Sequence, residues 1–208
     1  MISPNRHCTI IGPNGVGKSV LARWYAGKMP SIIIVDSKHD TPALPGFVVS
    51  EDPKAMGRTA RIVWRPPRLA DPIQTGDLAA WYALQRGATC LMLDEAALVA
   101  PGQRMGPYLR AAIITGRSPG VGVWALTQRP KDVHNLFFTE AWAYFVSPWV
   151  SGVDMDKIQG FLPEEFGTKR QKLLANVPAE ASRYAWYVVE RGQSRGNIIR
   201  VPQKEARP

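Results

Sequence analysis

The segment GPNGVGKS at residues 12–19 matches the pattern G-x-x-x-x-G-K-[ST] at every position. It follows an apolar run at residues 7–11, which predicts a strand, and it leads into residues 18–26, which predict a helix. In this context glycines let the backbone turn so that successive N–H groups point at phosphate oxygens, and the helix adds the positive end of its dipole. The segment therefore predicts a phosphate-binding loop in an α/β fold.

The residues of this loop have separate expected roles. Lys18 is expected to reach the β- and γ-phosphates and to take part in catalysis, and the Ser19 hydroxyl is expected to bind Mg²⁺. Because the sequence contains no NKxD motif of the kind that reads guanine, ATP is the expected nucleotide. The expected nucleotide-binding residues are Gly12, Pro13, Asn14, Gly15, Val16, Gly17, Lys18, Ser19 and Val20.

Two adjacent carboxylates follow another strongly apolar run, at residues 88–94. Asp94 lies where a carboxylate at the end of a buried strand would hold the Mg²⁺ shell. Glu95 is in position to polarise an attacking water as general base, which indicates hydrolysis rather than phosphate transfer to a second substrate. The alternative is a pair of solvated carboxylates at a strand end.

A further polar residue follows the predicted strand at residues 121–127. Gln128 would point into the crevice at the carboxyl ends of the strands, where it could touch the γ-phosphate or orient water. Arg117 precedes the same strand and is the candidate for an arginine that acts in trans on a neighbouring subunit, as in ring-shaped ATPases. Arg110 and Arg129 are its rivals, and a surface role for Arg117 stays open.

The remaining pattern predicts strands that alternate with helical segments and hence a mainly parallel central sheet flanked by helices. We expect one domain over residues 1–208, with a core at about 7–148 and an extension at 149–208. Asp77 is expected to cap a helix that ends at Arg86. Residues 97–106 are predicted to be loop-rich, and residues 152–176 to form helical pieces broken by Gly160, Pro163 and Gly167. Residues 184–189 and 197–201 predict a C-terminal β-hairpin.

Charge and composition limit the kinds of partner and the cellular compartment that we expect for this protein. The formal net charge is +9 and the pI about 9.8, which favours a polyanionic partner such as nucleic acid, although a merely basic protein would look the same. Cys8 and Cys90 lie in apolar runs and are expected to be buried thiols. Because no apolar run approaches the roughly 20 residues that span a bilayer, we expect no transmembrane segment.

Taken together, the segments GPNGVGKS, LMLDEA and ITGRSPGVGVWALTQRP resemble the FtsK/HerA superfamily of DNA-pumping ATPases, over about residues 7–148. The small size is similar to that of the genome-packaging ATPases of tailless icosahedral viruses with an internal membrane. The resemblance implies a RecA-like P-loop NTPase fold, a homohexameric ring and magnesium-dependent ATP hydrolysis. The residues that match the family's motifs are Lys18, Ser19, Asp94, Glu95, Gln128 and Arg117.

The same resemblance implies that the ring moves double-stranded DNA through its pore into a preformed capsid, without reading its sequence. Capsid or membrane vertex proteins would then be partners, and the protein would be found at the packaging vertex of the virion and in the host cytoplasm. Arg104 and Lys38, both in predicted loops, are the candidate DNA contacts in the pore. Residues 149–208 carry no matching motif, and their expected role is the ring interface or docking to the vertex.

Two other functions fit the same motifs. One is an assembly or export ATPase of the Zot type from filamentous phages, which shares the fold but usually carries a transmembrane anchor. The other is a nucleotide-binding component of a capsid vertex with little turnover, against which Glu95 argues.

Overall fold

The computed structural model describes residues 3–176 and 184–201. The strands in this part of the chain are β1 (Cys8–Ile11), β2 (Ile32–Val35), β3 (Val48–Ser50), β4 (Arg61–Trp64), β5 (Cys90–Leu93), β6 (Gly122–Thr127), β7 (Ala143–Val146), β8 (Ala185–Glu190) and β9 (Asn197–Arg200). The helices are α1 (Lys18–Ala26), α2 (Pro72–Arg86), α3 (Ala96–Val99), α4 (Pro107–Thr115), α5 (Leu136–Thr139), α6 (Gly152–Gln159) and α7 (Glu165–Asn176). Short 3-10 turns cover Pro53–Gly57 and Pro130–Asp132.

The strands of the described residues form one sheet in the order β3-β4-β2-β5-β6-β1-β7-β8-β9. Neighbouring strands from β3 to β7 in this order run parallel, whereas β8 pairs antiparallel with β7 and with β9. Every residue of β1, β2, β5, β6 and β7 is buried, which explains why these segments read as unbroken apolar runs. The predicted mainly parallel sheet and the C-terminal hairpin are both confirmed.

Two hydrophobic clusters lie on opposite faces of the sheet, because successive strand residues point to opposite sides. Leu91 of β5 belongs to the cluster that includes α2, α3 and α4, and its neighbour Met92 belongs to the cluster that includes α1. Cys8 and Cys90 lie in the α1 cluster as free, fully buried thiols, as the sequence predicted. The sheet is therefore covered on both faces, and its ligand-accessible parts are its edges and strand ends.

Helix α2 begins earlier than predicted. It starts at Pro72 rather than at Asp77, because the Asp71 side chain accepts a hydrogen bond from the Ile73 N–H and caps the helix. Proline fits at the first helical position, where its missing N–H leaves no bond unmade. Asp77 lies inside α2 and accepts a hydrogen bond from the Leu109 N–H at 2.9 Å, so it caps the first turn of α4 instead.

Two other predicted boundaries differ from the structure. Gly167 does not break the chain but lies inside α7, where the burial of Phe166 and Leu173 outweighs the roughly 1 kcal/mol helix penalty of glycine. The loop-rich stretch at 97–106 includes most of the short helix α3. The predicted breaks at Gly160 and Pro163 are confirmed, since both lie between α6 and α7.

Replacing Asp77, whose carboxylate links α2 to α4, should destabilise the fold. Asp77→Ala leaves the Leu109 N–H without its acceptor, and we expect the free energy of unfolding to fall by about 0.5–2 kcal/mol. Urea denaturation of the two proteins measures this difference. Asp156→Ala, at an exposed aspartate on α6, is the matched control and should change stability by less than about 0.5 kcal/mol. Equal losses in both variants would contradict a capping role for Asp77.

No helix in the described ranges is both long enough and apolar enough to cross a membrane.

Candidate nucleotide site

The site lies at the carboxyl ends of three parallel strands in the middle of the sheet. The register pairs Ile11 at the end of β1 with Thr127 at the end of β6, and Leu93 of β5 with Ala125 of β6. Strand β6 lies between the other two. Gln128, the residue after β6, therefore lies between the glycine-rich loop that follows β1 and the acidic pair that follows β5.

The glycines of the loop between β1 and α1 have steric reasons to be glycine. Gly15 and Gly17 have φ angles of 77° and 90°, a backbone region that other residues rarely adopt. Gly12 lies so close to β7 that a side-chain carbon there would be 2.8 Å from Ser147 Cβ. The loop therefore packs tightly against the sheet while its central turn stays open to a ligand.

The positively charged side chain of Lys18 is held by the backbone of the loop. Its ammonium donates to the carbonyl oxygens of Gly12 and Pro13, at 2.8 and 2.9 Å. Burial lowers the pKa of Lys18 to about 8, with the nearby positive charge of Lys38 adding to this and the negative charge of Glu95 opposing it. The group remains mainly protonated at neutral pH, so it presents a cation at the mouth of the loop.

Ser19 and Asp94 meet as the sequence suggested they would. The Ser19 hydroxyl donates to Asp94 Oδ1 at 3.3 Å, which joins the first turn of α1 to the end of β5. The pKa of Asp94 is raised to about 6, chiefly by burial and next by the negative charge of Asp40. This buried carboxyl group therefore holds its proton more strongly than an exposed aspartate does.

The oxygen groups here fit a magnesium ion. Carboxylate oxygens of Asp36, Asp40 and Asp94 lie within 4.8 Å of one another, beside the Ser19 hydroxyl. Oxygen ligands of this kind suit Mg²⁺, and a divalent cation would offset the negative charges gathered here. Asp36 already bonds to Arg65, so Asp40 is the further carboxylate that would hold the ion together with the predicted Ser19 and Asp94.

Glu95 is buried beside this group and is held by two donors. Its side chain is 8% exposed. Its Oε2 atom accepts a hydrogen bond from Gln128 Nε2 at 2.8 Å and one from Lys38 Nζ at 3.1 Å. The sequence placed Glu95 and Gln128 in one crevice, and the structure brings them into direct contact. A carboxylate with a fixed orientation next to a phosphate loop can accept a proton from a water molecule.

Several of these groups, but not Glu95 or Asp36, line an open cleft of about 320 Å³. It is lined by Asn14, Gly15, Gly17, Lys18, Ser19, Val20, Lys38, Asp40, Asp94, Gln128 and Tyr184. Three of the predicted nucleotide-binding residues are absent from the lining: Gly12 and Pro13 hold Lys18 through their carbonyl oxygens, and Val16 is buried in the core.

Sequence reasoning did not assign several residues in or beside the cleft to the nucleotide site. Asp36 follows the apolar strand SIIIV in the same way that Asp94 follows LMLD, so the strand-end argument used for Asp94 applies to it as well. Lys38 and Asp40 come with it, because they lie in the turn that Asp36 begins. Tyr184 had no comparable signal, since it precedes an antiparallel strand far along the chain and belongs to no motif.

Arg117 lies on the side of the sheet where the parallel strands begin, opposite to the phosphate loop. It precedes β6, whereas the phosphate loop is level with the far end of that strand, about 20 Å away for six residues at about 3.3 Å each. Arg117 lines a second cavity of about 260 Å³ together with Arg6, His7, Trp142 and Arg191, among others. Within one chain Arg117 is therefore remote from the phosphate loop, so any role in catalysis would have to be in trans.

The other predicted cations lie elsewhere. Arg129 directly follows Gln128 on the same edge as the phosphate loop, and its guanidinium is 3.9 Å from an Asp132 carboxylate oxygen. Arg110 is exposed on α4, and Arg104 is exposed in the loop before that helix.

No protein-family model matches this sequence, and no curated protein matches it. Solved structures do resemble it. One is the genome packaging NTPase B204 from Sulfolobus turreted icosahedral virus 2 in complex with sulfate. It is 17% identical, the match covers 95% of this chain and 96% of the B204 chain, and the TM-score is 0.75. The same NTPase in complex with AMPPCP is 18% identical, with 97% of this chain and 100% of the B204 chain covered and a TM-score of 0.72.

A second protein with this fold is the N-terminal domain of zonular occludens toxin from Neisseria meningitidis. It is 13% identical and covers 96% of each chain, with a TM-score of 0.54. These likenesses show that the chain has the fold of P-loop NTPases. At the level of the fold, they match the resemblance that its motifs carry.

Proposed function

We propose that this protein is an ATPase that packages viral double-stranded DNA into a preformed capsid. ATP hydrolysis is supported by the position of Glu95, which is buried, accepts a hydrogen bond from Gln128 and acts through its charge on Lys18 of the phosphate loop. A kinase would need a second substrate site here, whereas a buried, oriented carboxylate close to the lysine of a phosphate loop suits activation of water.

The residues divide the hydrolysis among them. Lys18 and the start of α1 bind the β- and γ-phosphates and offset the negative charge that develops during the reaction. Glu95 takes the proton of the attacking water, and Gln128 keeps the carboxylate in place. Mg²⁺, which Ser19 and Asp94 would hold, supplies charge neutralisation on the phosphates when bound. Arg117 of a neighbouring subunit is the proposed arginine finger.

DNA as the moved substrate is supported by charge and by the structural neighbours. The net charge of +9 suits sequence-independent binding to phosphates. The B204 structures, described as those of a genome packaging NTPase, match with TM-scores of 0.68 to 0.75, against 0.54 for the zonular occludens toxin domain. The proposed assembly is a homohexameric ring around the duplex, bound to capsid or membrane vertex proteins.

A phage assembly or export ATPase is the second candidate, because the zonular occludens toxin domain covers 96% of this chain. It would hydrolyse ATP at the same site. Its activity would depend on membranes or on a membrane-bound partner rather than on free duplex DNA.

The deciding experiment measures ATP hydrolysis and strand movement together. We expect long linear double-stranded DNA to raise phosphate release several-fold, and we expect the protein to displace a triplex-forming strand in an ATP-dependent manner. If about six or more phosphates are contacted, DNA affinity should fall by about 10³-fold or more between about 50 and 200 mM salt. Glu95→Gln serves as the control that binds DNA without displacing the strand.

Two results would contradict DNA packaging. One is ATP hydrolysis that is indifferent to duplex DNA but rises with phage-host membrane vesicles, which would favour the assembly ATPase. The other is hydrolysis of only a few ATP molecules per subunit under all conditions, which would favour a nucleotide-binding structural component.

A further inference from the structure

Lys38 makes an ion pair that differs from an ordinary surface contact. Its ammonium lies 3.1 Å from Glu95 Oε2, and the two side chains are 35% and 8% exposed. Exposed pairs contribute little because water screens both charges, but here the carboxylate is buried and the lysine reaches in to it. The pair therefore joins a loop that carries no nucleotide motif to the residue proposed to activate water.

The turn that carries Lys38 is held by a buried carboxylate. Asp36 is fully buried, and its oxygens accept hydrogen bonds from the backbone N–H groups of Asp40 and Thr41 at 3.1 and 3.2 Å. Arg65 from the end of β4 donates to the same carboxylate at 3.1 Å. Lys38 lies between these anchors, so its backbone position is determined by the sheet.

Two further contacts hold the same turn. His39 has a φ of 58°, a conformation that costs energy for a residue with a side chain, and its ring Nε2 lies 2.7 Å from the Pro66 carbonyl oxygen. The Arg65 guanidinium also donates to the Thr41 carbonyl oxygen at 2.7 Å. Because the turn is already ordered, Lys38 loses less conformational entropy when it bonds to Glu95 than a lysine on a free loop would.

The two donors to Glu95 select one of its oxygens. Gln128 Nε2 and Lys38 Nζ both donate to Oε2, at 2.8 and 3.1 Å. Within the described residues Oε1 has no hydrogen-bond partner. With Oε2 fixed from two sides, the carboxylate is oriented and its second oxygen remains the acceptor for a water proton.

We propose that Lys38 is a positioning residue for ATP hydrolysis, which acts by fixing the orientation of Glu95 and not by binding DNA. This inference rests on the proposed ATPase function. It assigns Lys38 to the nucleotide site rather than to the pore, where its place in a predicted loop had suggested a DNA contact. A direct phosphate contact is the competing role, because Lys38 also lines the cleft with Lys18 and Ser19.

The test is a double-mutant cycle between Lys38 and Glu95. In Lys38→Met we expect kcat for ATP to fall on the order of 10-fold to 100-fold, the loss typical of a misplaced catalytic group, while KM changes less than about 3-fold. In the Glu95→Gln background the same change should cost nothing further, because Lys38 acts through Glu95. Lys38→Arg, which keeps a charged donor, should recover part of the lost turnover.

Lys54→Met, at an exposed lysine of the 3-10 turn Pro53–Gly57, is the matched control and should hydrolyse ATP like the wild type. Equal losses from Lys38→Met in the wild-type and Glu95→Gln backgrounds, with weaker ATP binding, would overturn the proposal in favour of a phosphate contact. Unchanged kcat with weaker DNA binding would overturn it in favour of a pore contact. A wild type without ATPase activity would overturn the proposed function itself, which separates the two failures.

Discussion

Glu95→Gln is expected to lower ATP turnover by about 10²–10⁴-fold, the usual contribution of a general base, while nucleotide affinity stays within a few-fold of wild type. Glutamine has the same shape, and its amide oxygen can still accept the hydrogen bonds from Gln128 and Lys38. What it loses is the ability to take a proton from water. Phosphate release at saturating ATP measures the first effect, and titration with a fluorescent ATP analogue measures the second.

Glu51→Gln is the matched control for this substitution, since it makes the same chemical change at an exposed position away from the cleft. It should leave turnover unchanged. If Glu95→Gln hydrolysed ATP within about 3-fold of the wild-type rate, the role of Glu95 as base would be wrong, and another group would have to activate the water.

Lys18→Met is expected to weaken ATP binding by about 10-fold to 100-fold, the loss of a charged hydrogen bond worth about 1.5–3 kcal/mol. Turnover should fall by a further 10² or so, because the ammonium offsets charge that grows on the phosphates during the reaction. The substitution also removes the two bonds that tie the ammonium to the carbonyl oxygens of Gly12 and Pro13. Titration with the fluorescent analogue and single-turnover hydrolysis measure the two effects separately.

Lys18→Arg tests whether charge alone is enough. The planar guanidinium is larger than the ammonium and presents its donors in a fixed fork, so we expect it not to restore binding in this buried position. Thermal unfolding near the wild-type temperature shows that both variants fold. A Lys18→Met protein that binds and hydrolyses ATP like the wild type would contradict the assignment of the loop as the phosphate site.

The local parts of the site were predictable because their information lies within a few residues. Gly15 and Gly17 must adopt positive φ, and Lys18 must follow them, if a strand is to turn into a helix around a phosphate. The same holds for Asp94 and Glu95 at the end of a buried strand. Parallel strands place their carboxyl ends on one edge, so the meeting of these groups with Gln128 followed from the pattern of strands and helices.

Contacts between segments distant in the chain were harder to predict from the sequence. Asp77 looked like the cap of its own helix, yet it bonds to Leu109, because the cap of α2 is made earlier by Asp71 and the close approach at Gly106 brings α4 against it. Lys38 looked like a free loop cation. Its partner is Glu95 because β2 pairs with β5, a neighbour relation that no local pattern encodes.

The sequence by itself determined the kind of loop, the strand ends that carry its acidic groups and the mainly parallel sheet, since each depends on local spacing and on continuous apolar runs. The tertiary structure alone decided which cation pairs with Glu95, that Tyr184 borders the cleft, and that Arg117 lies at the opposite strand ends from its own phosphate loop. The physical reason is strand order. Most neighbouring strands of the sheet are distant from each other in the chain, and their pairing places a side chain of one segment within bonding distance of another.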